Sequence, residues 1–279
     1  MKLPAILLLV TMLSAAADVV IALKPDKDPD KMLAERQALA SALTEKLGQK
    51  VDVIVPLSAA VIIEGMANGS IDAGYLSATD LVHARKAGAA SLLLVGEIAG
   101  KREYESYWLA LADKPYTRIE DLRGKPVAFA SRTSTSGYLI PQLDLHKKGL
   151  IKKKAEEFFG EGNVWFGTGY ASAVERVLAG EAEAAAVSDY VFDKDKHLTP
   201  EQRARLKIVA RQGPVPTHVI AVASRLDSAK RQALKTALLD LGQSNPALRD
   251  AIFTSPLVET DEASHLAPVI EALEIVTPP

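Results

Sequence analysis

A run of hydroxyl residues near the middle of the chain has the chemistry to bind an anion. It follows an apolar, strand-like run, opens a helix-like one, and reads Thr133-Ser134-Thr135-Ser136-Gly137-Tyr138. The first N–H groups of a helix have no partner within it, and the helix dipole favours negative charge there. Three hydroxyls add donors beside these amides, and Gly137 would let a ligand approach the backbone. The motif predicts an oxyanion site, although an ordinary helix N-cap, which needs only one hydroxyl, remains the alternative.

The elements around this motif alternate between strand and helix. Strand-like runs at 18–23, 51–55, 71–75 and 91–95 are separated by helix-like ones, and the same order returns between 126 and 187. Residues 64–75 also resemble residues 175–186, with Gly69 over Gly180, unless this is a chance likeness of Ala- and Gly-rich helix ends. The pattern predicts two α/β lobes, each with a largely parallel sheet covered by helices on both faces.

Further polar residues follow the matching strands of the two lobes. Tyr75, Tyr170 and Asp189 stand in turns expected at the carboxyl ends of parallel strands, where open α/β sheets bind ligands. Tyr170 could donate its hydroxyl to a ligand or belong to the core. Asp189 could accept a hydrogen bond from a protonated ligand oxygen, which would favour a singly protonated anion, or cap a helix. We therefore add these three residues to the candidate site.

Two segments suit a crossing between the lobes. The apolar run 106–113 leads out of the first lobe, and the proline-rich run 213–218 leads back. Lobe 1 is then predicted to comprise 18–107 and 218–279, and lobe 2 to comprise 112–212. Two crossings imply a hinge that closes around a ligand. His218 lies in the second crossing and is a candidate contact, with a structural histidine as the alternative.

The first residues predict export from the cytoplasm. Met1-Lys2 precedes an apolar run and then small residues up to Ala17, which is the pattern of a signal peptide spanning 1–17. No later run is long enough for a membrane-spanning helix. The chain contains no cysteine for a lipid anchor or a disulfide. We therefore expect a soluble periplasmic protein that is not a lipoprotein.

Charge and residue spacing argue against several other classes. The formal net charge of -2 gives no basic face for nucleic acid. The five histidines are scattered without metal-ligand spacing, and no Gly-x-Ser-x-Gly motif or paired base accompanies the serines. We expect a monomer that is not an enzyme and needs no metal or cofactor.

The chain resembles the periplasmic solute-binding proteins for phosphate, phosphite and phosphonates, often called PhnD-like, that serve ABC transporters. The likeness is carried by the runs 69–73, 119–125, 134–138, 180–189 and 214–218. It implies a class II periplasmic binding protein with a ligand cleft between two lobes. It also implies that Ser134, Thr135 and Ser136 hold the oxyanion. A tyrosine, either Tyr104 or Tyr107, is expected to contact the oxyanion as well, and Tyr107 is slightly preferred. The partner that the resemblance implies is an ABC permease.

Two departures from that family bear on the ligand. Many relatives have a Gly-Ser-His-Asp run where this chain has Gly167-Thr168-Gly169-Tyr170, and a common tyrosine is replaced around Ala59-Ala60. The changes lie where an organic arm would be contacted, so a compact oxyanion such as phosphite, phosphate or methylphosphonate is favoured over an aminoalkyl phosphonate. Some relatives instead present an arsenic or phosphite-like oxyanion to a membrane histidine kinase, and the sequence leaves this sensor alternative open.

Overall fold

The computed structural model describes residues 18–24, 32–194 and 198–276, so the expected signal peptide lies outside the described residues. The strands are β1 (Val19–Leu23), β2 (Val51–Ile54), β3 (Ala73–Leu76), β4 (Ala90–Gly96), β5 (Glu103–Leu111), β6 (Val127–Phe129), β7 (Val164–Phe166), β8 (Ala184–Ser188), β9 (Leu206–Pro216), β10 (Val219–Ala223) and β11 (Leu257–Val258). The α-helices are α1 (Leu33–Leu47), α2 (Ala59–Asn68), α3 (Ala78–Lys86), α4 (Ile140–Lys147), α5 (Glu156–Phe159), α6 (Tyr170–Leu178), α7 (Asp189–Asp193), α8 (Pro200–Ala204), α9 (Ser228–Ser244), α10 (Pro246–Phe253) and α11 (Glu262–Ile275). A 3₁₀ turn spans Ile119–Leu122, and a π-helical turn, Thr135–Leu139, leads directly into α4.

The strands form two mixed sheets, one in each lobe. The first has the order β11-β4-β10-β3-β1-β2, and the second has the order β7-β6-β8-β5-β9. Each keeps a parallel trio, β2-β1-β3 and β7-β6-β8, as the alternating pattern predicted. The expectation of largely parallel sheets was too simple, because β10 in the first sheet and β5 in the second run antiparallel to their neighbours. Both antiparallel strands belong to chain segments that lead into or out of a lobe.

The internal recurrence of the sequence corresponds to matching local structure. Gly69 ends α2 with a φ of 93°, and Gly180 follows α6 with a φ of 76°, which are backbone angles that favour glycine. The N–H of Asp72 donates to the carbonyl of Val20, and that of Glu183 donates to the carbonyl of Pro126. In each lobe, the strand after the glycine therefore joins the central strand of the trio in the same way.

The first crossing lies earlier in the chain than the sequence indicated. Residues 103–111 form β5, which pairs with both β8 and β9 inside the second sheet, so the run 106–113 is not a connector. The chain passes between the sheets at 97–102, after β4, and returns at 217–218, between β9 and β10. Residues 106–110 are buried because β5 is bonded on both sides, and this mostly apolar run therefore resembled a connecting segment in the sequence.

Buried side chains pack on both faces of each sheet. In the first sheet, Ala22 and Leu76 belong to one apolar cluster, whereas Ile21 and Leu23 belong to another. The first of these clusters also contains residues of α11 and residues at the start of α4, which belongs to the second lobe. The two lobes are thus joined by an apolar contact beside the cleft. None of the helices in the described ranges is long and apolar enough to cross a membrane.

His265 ties α11 to the returning crossing. Its ring is 8% exposed, and its Nε2 lies 3.1 Å from the carbonyl oxygen of Thr217. Because a carbonyl can only accept, Nε2 carries the hydrogen of the neutral ring. Burial lowers the pKa of His265, against the opposing effect of the bond to Thr217.

We expect His265 to make stability depend on pH in the acid range. Since its pKa is lower in the folded chain, the unfolded chain takes up the proton first, so the stabilising contribution is present above the ordinary histidine pKa of about 6.5 and is lost as the pH falls. As the pH falls from 8 to 5, the free energy of unfolding measured in urea should decrease less for His265→Gln than for the parent protein. The exposed His83→Gln is the control, and identical profiles for all three proteins would contradict the assignment.

Candidate functional site

The hydroxyl motif forms the start of the helix that follows β6. Its first turn is π-helical, with the N–H of Leu139 bonded to the carbonyl of Ser134 at 3.0 Å, which leaves one more N–H group without a partner than an α-helical turn would. Within the described part of the chain, the N–H groups of Thr135 and Ser136 have no hydrogen-bond acceptor. These amides and the adjacent hydroxyls are the donor set that the sequence predicted.

The peptide group between Ser136 and Gly137 is held at both ends. The hydroxyl of Ser106 donates to the carbonyl oxygen of Ser136 at 2.6 Å, and the N–H of Gly137 donates to the Oγ of Ser134 at 2.9 Å. The side-chain amide of Gln212 donates in turn to the Oγ of Ser106 at 2.7 Å. Ser134 therefore caps the helix as an acceptor while its own hydrogen can point elsewhere. In this arrangement Ser134 can cap the helix and donate a hydrogen bond to an anion at the same time.

Gly137 is required for a reason that the sequence did not indicate. A Cβ atom at this position would lie 2.4 Å from the Cβ of Ala130 and 2.8 Å from the Oγ of Ser134. The N–H of Ala130 also bonds the carbonyl of Gly137 at 3.0 Å. The missing side chain thus lets the helix start pack directly on the end of β6.

Two tyrosines converge on the hydroxyl of Ser136. The hydroxyl of Tyr104 donates to Ser136 Oγ at 3.2 Å, and the hydroxyl of Tyr170 lies 2.7 Å from the same atom. Burial, followed by the influence of Tyr170, raises the pKa of Tyr104 well above its ordinary value, so the phenol stays protonated and remains a donor. The site thus contains three neighbouring hydroxyls, each able to donate or accept.

The other lobe meets the motif through the start of α3. Thr79 Oγ1 lies 2.8 Å from Thr135 Oγ1, and its N–H is 3.4 Å from the same oxygen. The first turn of α3 is fixed by a capping box, in which the backbone N–H of Ser77 donates to the Asp80 carboxylate and the N–H of Asp80 donates to the Ser77 hydroxyl. Lys24 pairs with the buried Asp80 carboxylate at 3.1 Å. The starts of α3 and of the motif helix therefore meet through two neutral hydroxyls, Thr79 and Thr135.

Asp189 is the first residue of α7, and its carboxylate bonds groups close to it in the fold. Its Oδ1 accepts from the Ser188 hydroxyl at 3.0 Å and from the Tyr190 N–H at 2.7 Å, and Oδ2 accepts a longer bond of 3.4 Å from the N–H of Glu105. Burial is the largest effect on the pKa of Asp189, which is raised from its ordinary value. These bonds are not the N-cap bonds of α7, whose N-cap is Ser188, and a contact of Asp189 with a ligand stays a prediction.

Three other expected residues lie away from the motif. The hydroxyl of Tyr107 bonds Asp193 at 2.8 Å, and its side chain belongs to the core on the other face of β5. Tyr75 bonds the carbonyl of Phe253 at 3.0 Å, and its ring lies 5.4 Å from that of His218. Alternation along β5 turns Tyr104 toward Ser136 and turns Tyr107 away, so the structure favours Tyr104 over the expected Tyr107, and a ligand contact by either stays a prediction.

Sequence reasoning missed three residues of the site. Thr79 could have been found, because the Ser77-x-x-Asp80 spacing is a capping-box signature directly after a strand. Ser106 and Gln212 gave no comparable signal, since a lone polar residue in a strand is usually a solvent-facing one. Here both are buried, and they pair across β5 and β9.

Comparison with known proteins gives a match along most of the chain. A family model described as "ABC transporter, phosphonate, periplasmic substrate-binding protein" matches residues 21–265. A curated protein from Mycolicibacterium smegmatis, the phosphate-import protein PhnD, is 28% identical over 227 residues, which is 78% of this chain and 70% of that protein.

Solved structures share the fold at low sequence identity. XAC2383 from Xanthomonas citri, bound to a chloride ion, is 22% identical with a TM-score of 0.78, and the match covers 92% of this chain and 99% of that one. PhnD1 from Prochlorococcus marinus, in complex with methylphosphonate, is 17% identical with a TM-score of 0.77, covering 91% and 96%. These likenesses establish the two-lobed fold.

We expect Gly137→Ala to lower the free energy of unfolding by about 1–3 kcal/mol, because the added methyl group overpacks the contact with Ala130. Urea denaturation measures the change. Gly242→Ala is the matched control, since its Cβ would lie 3.4 Å from the flexible Arg249 side chain within α9, and it should be neutral or slightly stabilising. Equal effects of the two substitutions would contradict the packing role of Gly137.

Proposed function

The chain belongs to the family of periplasmic substrate-binding proteins of phosphonate ABC transporters. We propose that it captures a small phosphorus oxyanion and delivers it to an ABC importer. The observation that carries the proposal is the facing pair of helix starts, with Thr135 and Ser136 on one lobe and Thr79 on the other. Amides at helix starts are suited to oxyanions because their N–H groups point outward and the dipole favours negative charge.

The ligand would take over hydrogen bonds that the hydroxyls make to one another. Thr79 bonds Thr135, and Ser136 bonds both Tyr104 and Tyr170. Each of these groups can rotate its hydrogen toward an anion. A hydrogen bond to a charged acceptor contributes about 1.5–3 kcal/mol, more than a bond between two neutral groups. Exchange of neutral acceptors for a charged one therefore favours binding.

Binding would also fix the two lobes relative to each other. Thr79 belongs to the first lobe and Thr135 to the second, so one anion bonded to both would hold the cleft shut. A closed form that depends on the ligand is a signal that a membrane partner can recognise. The family match to transporter components favours import over the alternative of a sensor for a histidine kinase.

A compact ligand suits the donors better than one with a long arm. Phosphite, phosphate and methylphosphonate present several oxygens to the hydroxyls and amides. The nearby cation Lys24 is paired with Asp80, so the ligand charge would be balanced by neutral dipoles. Ser134, Thr135, Ser136, Thr79, Tyr104 and Tyr170 are the residues that we assign to binding.

Calorimetric titration in a buffer without phosphate tests the ligand class. At least one of phosphite, phosphate, methylphosphonate, 2-aminoethylphosphonate and arsenate should bind and raise the melting temperature. The double variant Ser134→Ala with Ser136→Ala should weaken that binding about 10-fold or more, because two donors to the anion are lost. Absence of binding by every member would refute the proposed ligand class, whereas unchanged affinity in a folded double variant would refute the site.

We expect Tyr104→Phe to weaken binding by about 10-fold, since it removes a buried donor next to Ser136. Tyr107→Phe is the matched control, because it removes a hydroxyl from the same strand that bonds Asp193 instead. Both affinities come from the same titration. A larger loss in Tyr107→Phe than in Tyr104→Phe would reverse the assignment.

A further inference from the structure

We propose that Tyr170 limits the size of the ligand by occupying the space beside Ser136 into which a substituent on phosphorus would extend. Oxyanions whose fourth group is hydrogen, oxygen or methyl would then bind, and those with longer alkyl arms would be rejected. The inference rests on the proposed function and adds a selectivity residue to it.

The position of Tyr170 next to the motif is defined by contacts of its hydroxyl and of the adjacent ring edge. Its hydroxyl lies 2.7 Å from Ser136 Oγ. A Cβ atom on Gly137 would lie 3.2 Å from Cε1 of the ring, so the ring rests on the first turn of the motif helix. Tyr170 thus covers the two residues that follow Thr135.

The ring is also supported from a second direction. Tyr190, at the start of α7, meets Tyr170 edge to face with ring centroids 5.6 Å apart and an interplanar angle of 88°. Tyr170 is itself the first residue of α6, so its backbone is set by that helix. A ring that is held by Gly137, Tyr190 and its own helix cannot move aside without breaking several contacts.

Two other groups approach the motif from different directions. Thr79 approaches Thr135 from the first lobe, and Tyr104 approaches Ser136 from β5. Tyr170 completes this enclosure on the side of α6. A longer arm on phosphorus must therefore displace the Tyr170 ring or one of the anion donors, and either change weakens binding.

Tyr170 contributes two separable effects, one through its hydroxyl and one through its ring. Tyr170→Phe keeps the ring and removes only the hydroxyl, whereas Tyr170→Ala removes both. Tyr170→Leu keeps an apolar side chain of smaller volume and serves as a second variant if the alanine protein does not fold. Comparison of the three variants separates the effect on binding of losing a hydrogen bond from the effect of gaining space beside Ser136.

The test is calorimetric titration of the parent protein and these variants with methylphosphonate, ethylphosphonate and propylphosphonate. In the parent, propylphosphonate should bind about 100-fold more weakly than methylphosphonate, the effect expected from overpacking a closed site. Tyr170→Phe should weaken all three ligands about equally and keep that ratio. Tyr170→Ala, or Tyr170→Leu to a lesser degree, should reduce the ratio to about 10-fold or less.

The outcomes distinguish the inference from the function on which it rests. If the parent binds none of the alkylphosphonates, phosphite or phosphate, the proposed function fails. If the parent binds methylphosphonate and propylphosphonate equally well, the function stands and the role of Tyr170 is refuted. The role is also refuted if folded Tyr170→Ala and Tyr170→Leu proteins both keep the selectivity of the parent.

Discussion

The immobilised peptide group between Ser136 and Gly137 is the constraint on which the rest of the site depends. Ser106 holds its carbonyl and Ser134 holds its N–H, so the first turn of the helix cannot rotate. This fixed turn sets the directions of the neighbouring amides and hydroxyls. The position of β5 between β8 and β9 is what brings the buried Ser106 to that carbonyl. Donors that are aligned in advance bind an anion without the cost of ordering them.

The cleft combines a polar contact with an apolar one. Thr79 and Thr135 meet through hydroxyls, while Leu266 and Val269 of α11 share an apolar cluster with Leu143 of α4. Burial of apolar surface brings the lobes together without regard to direction, whereas the hydroxyls require a particular geometry. The apolar contact therefore holds the lobes together without fixing their orientation, and the polar one fixes which groups of the two lobes meet.

The hydroxyl motif, the two lobes and the parallel trio of strands in each could be predicted from sequence, because helix caps and strand-helix alternation are local patterns. The frame of β5 could not. Simple alternation puts Tyr104 and Tyr107 on opposite faces of β5, but which of these faces meets the motif depends on how β5 pairs with β8 and β9, and the sequence does not show that pairing. Thr79 and Gln212 depend on contacts between distant segments. The antiparallel strands and the position of the first crossing depend on the pairing partners of β5, which no local pattern reveals.

The donors of the site are neutral, and this affects how the rate of anion binding depends on the salt concentration. Hydroxyl and amide dipoles act over short distances, and the formal net charge of only -2 gives no strong overall attraction for anions. Mobile ions have correspondingly little to screen. Capture should proceed at much the same rate in dilute and in concentrated saline surroundings, which suits a compartment whose ionic strength follows that of the outside medium.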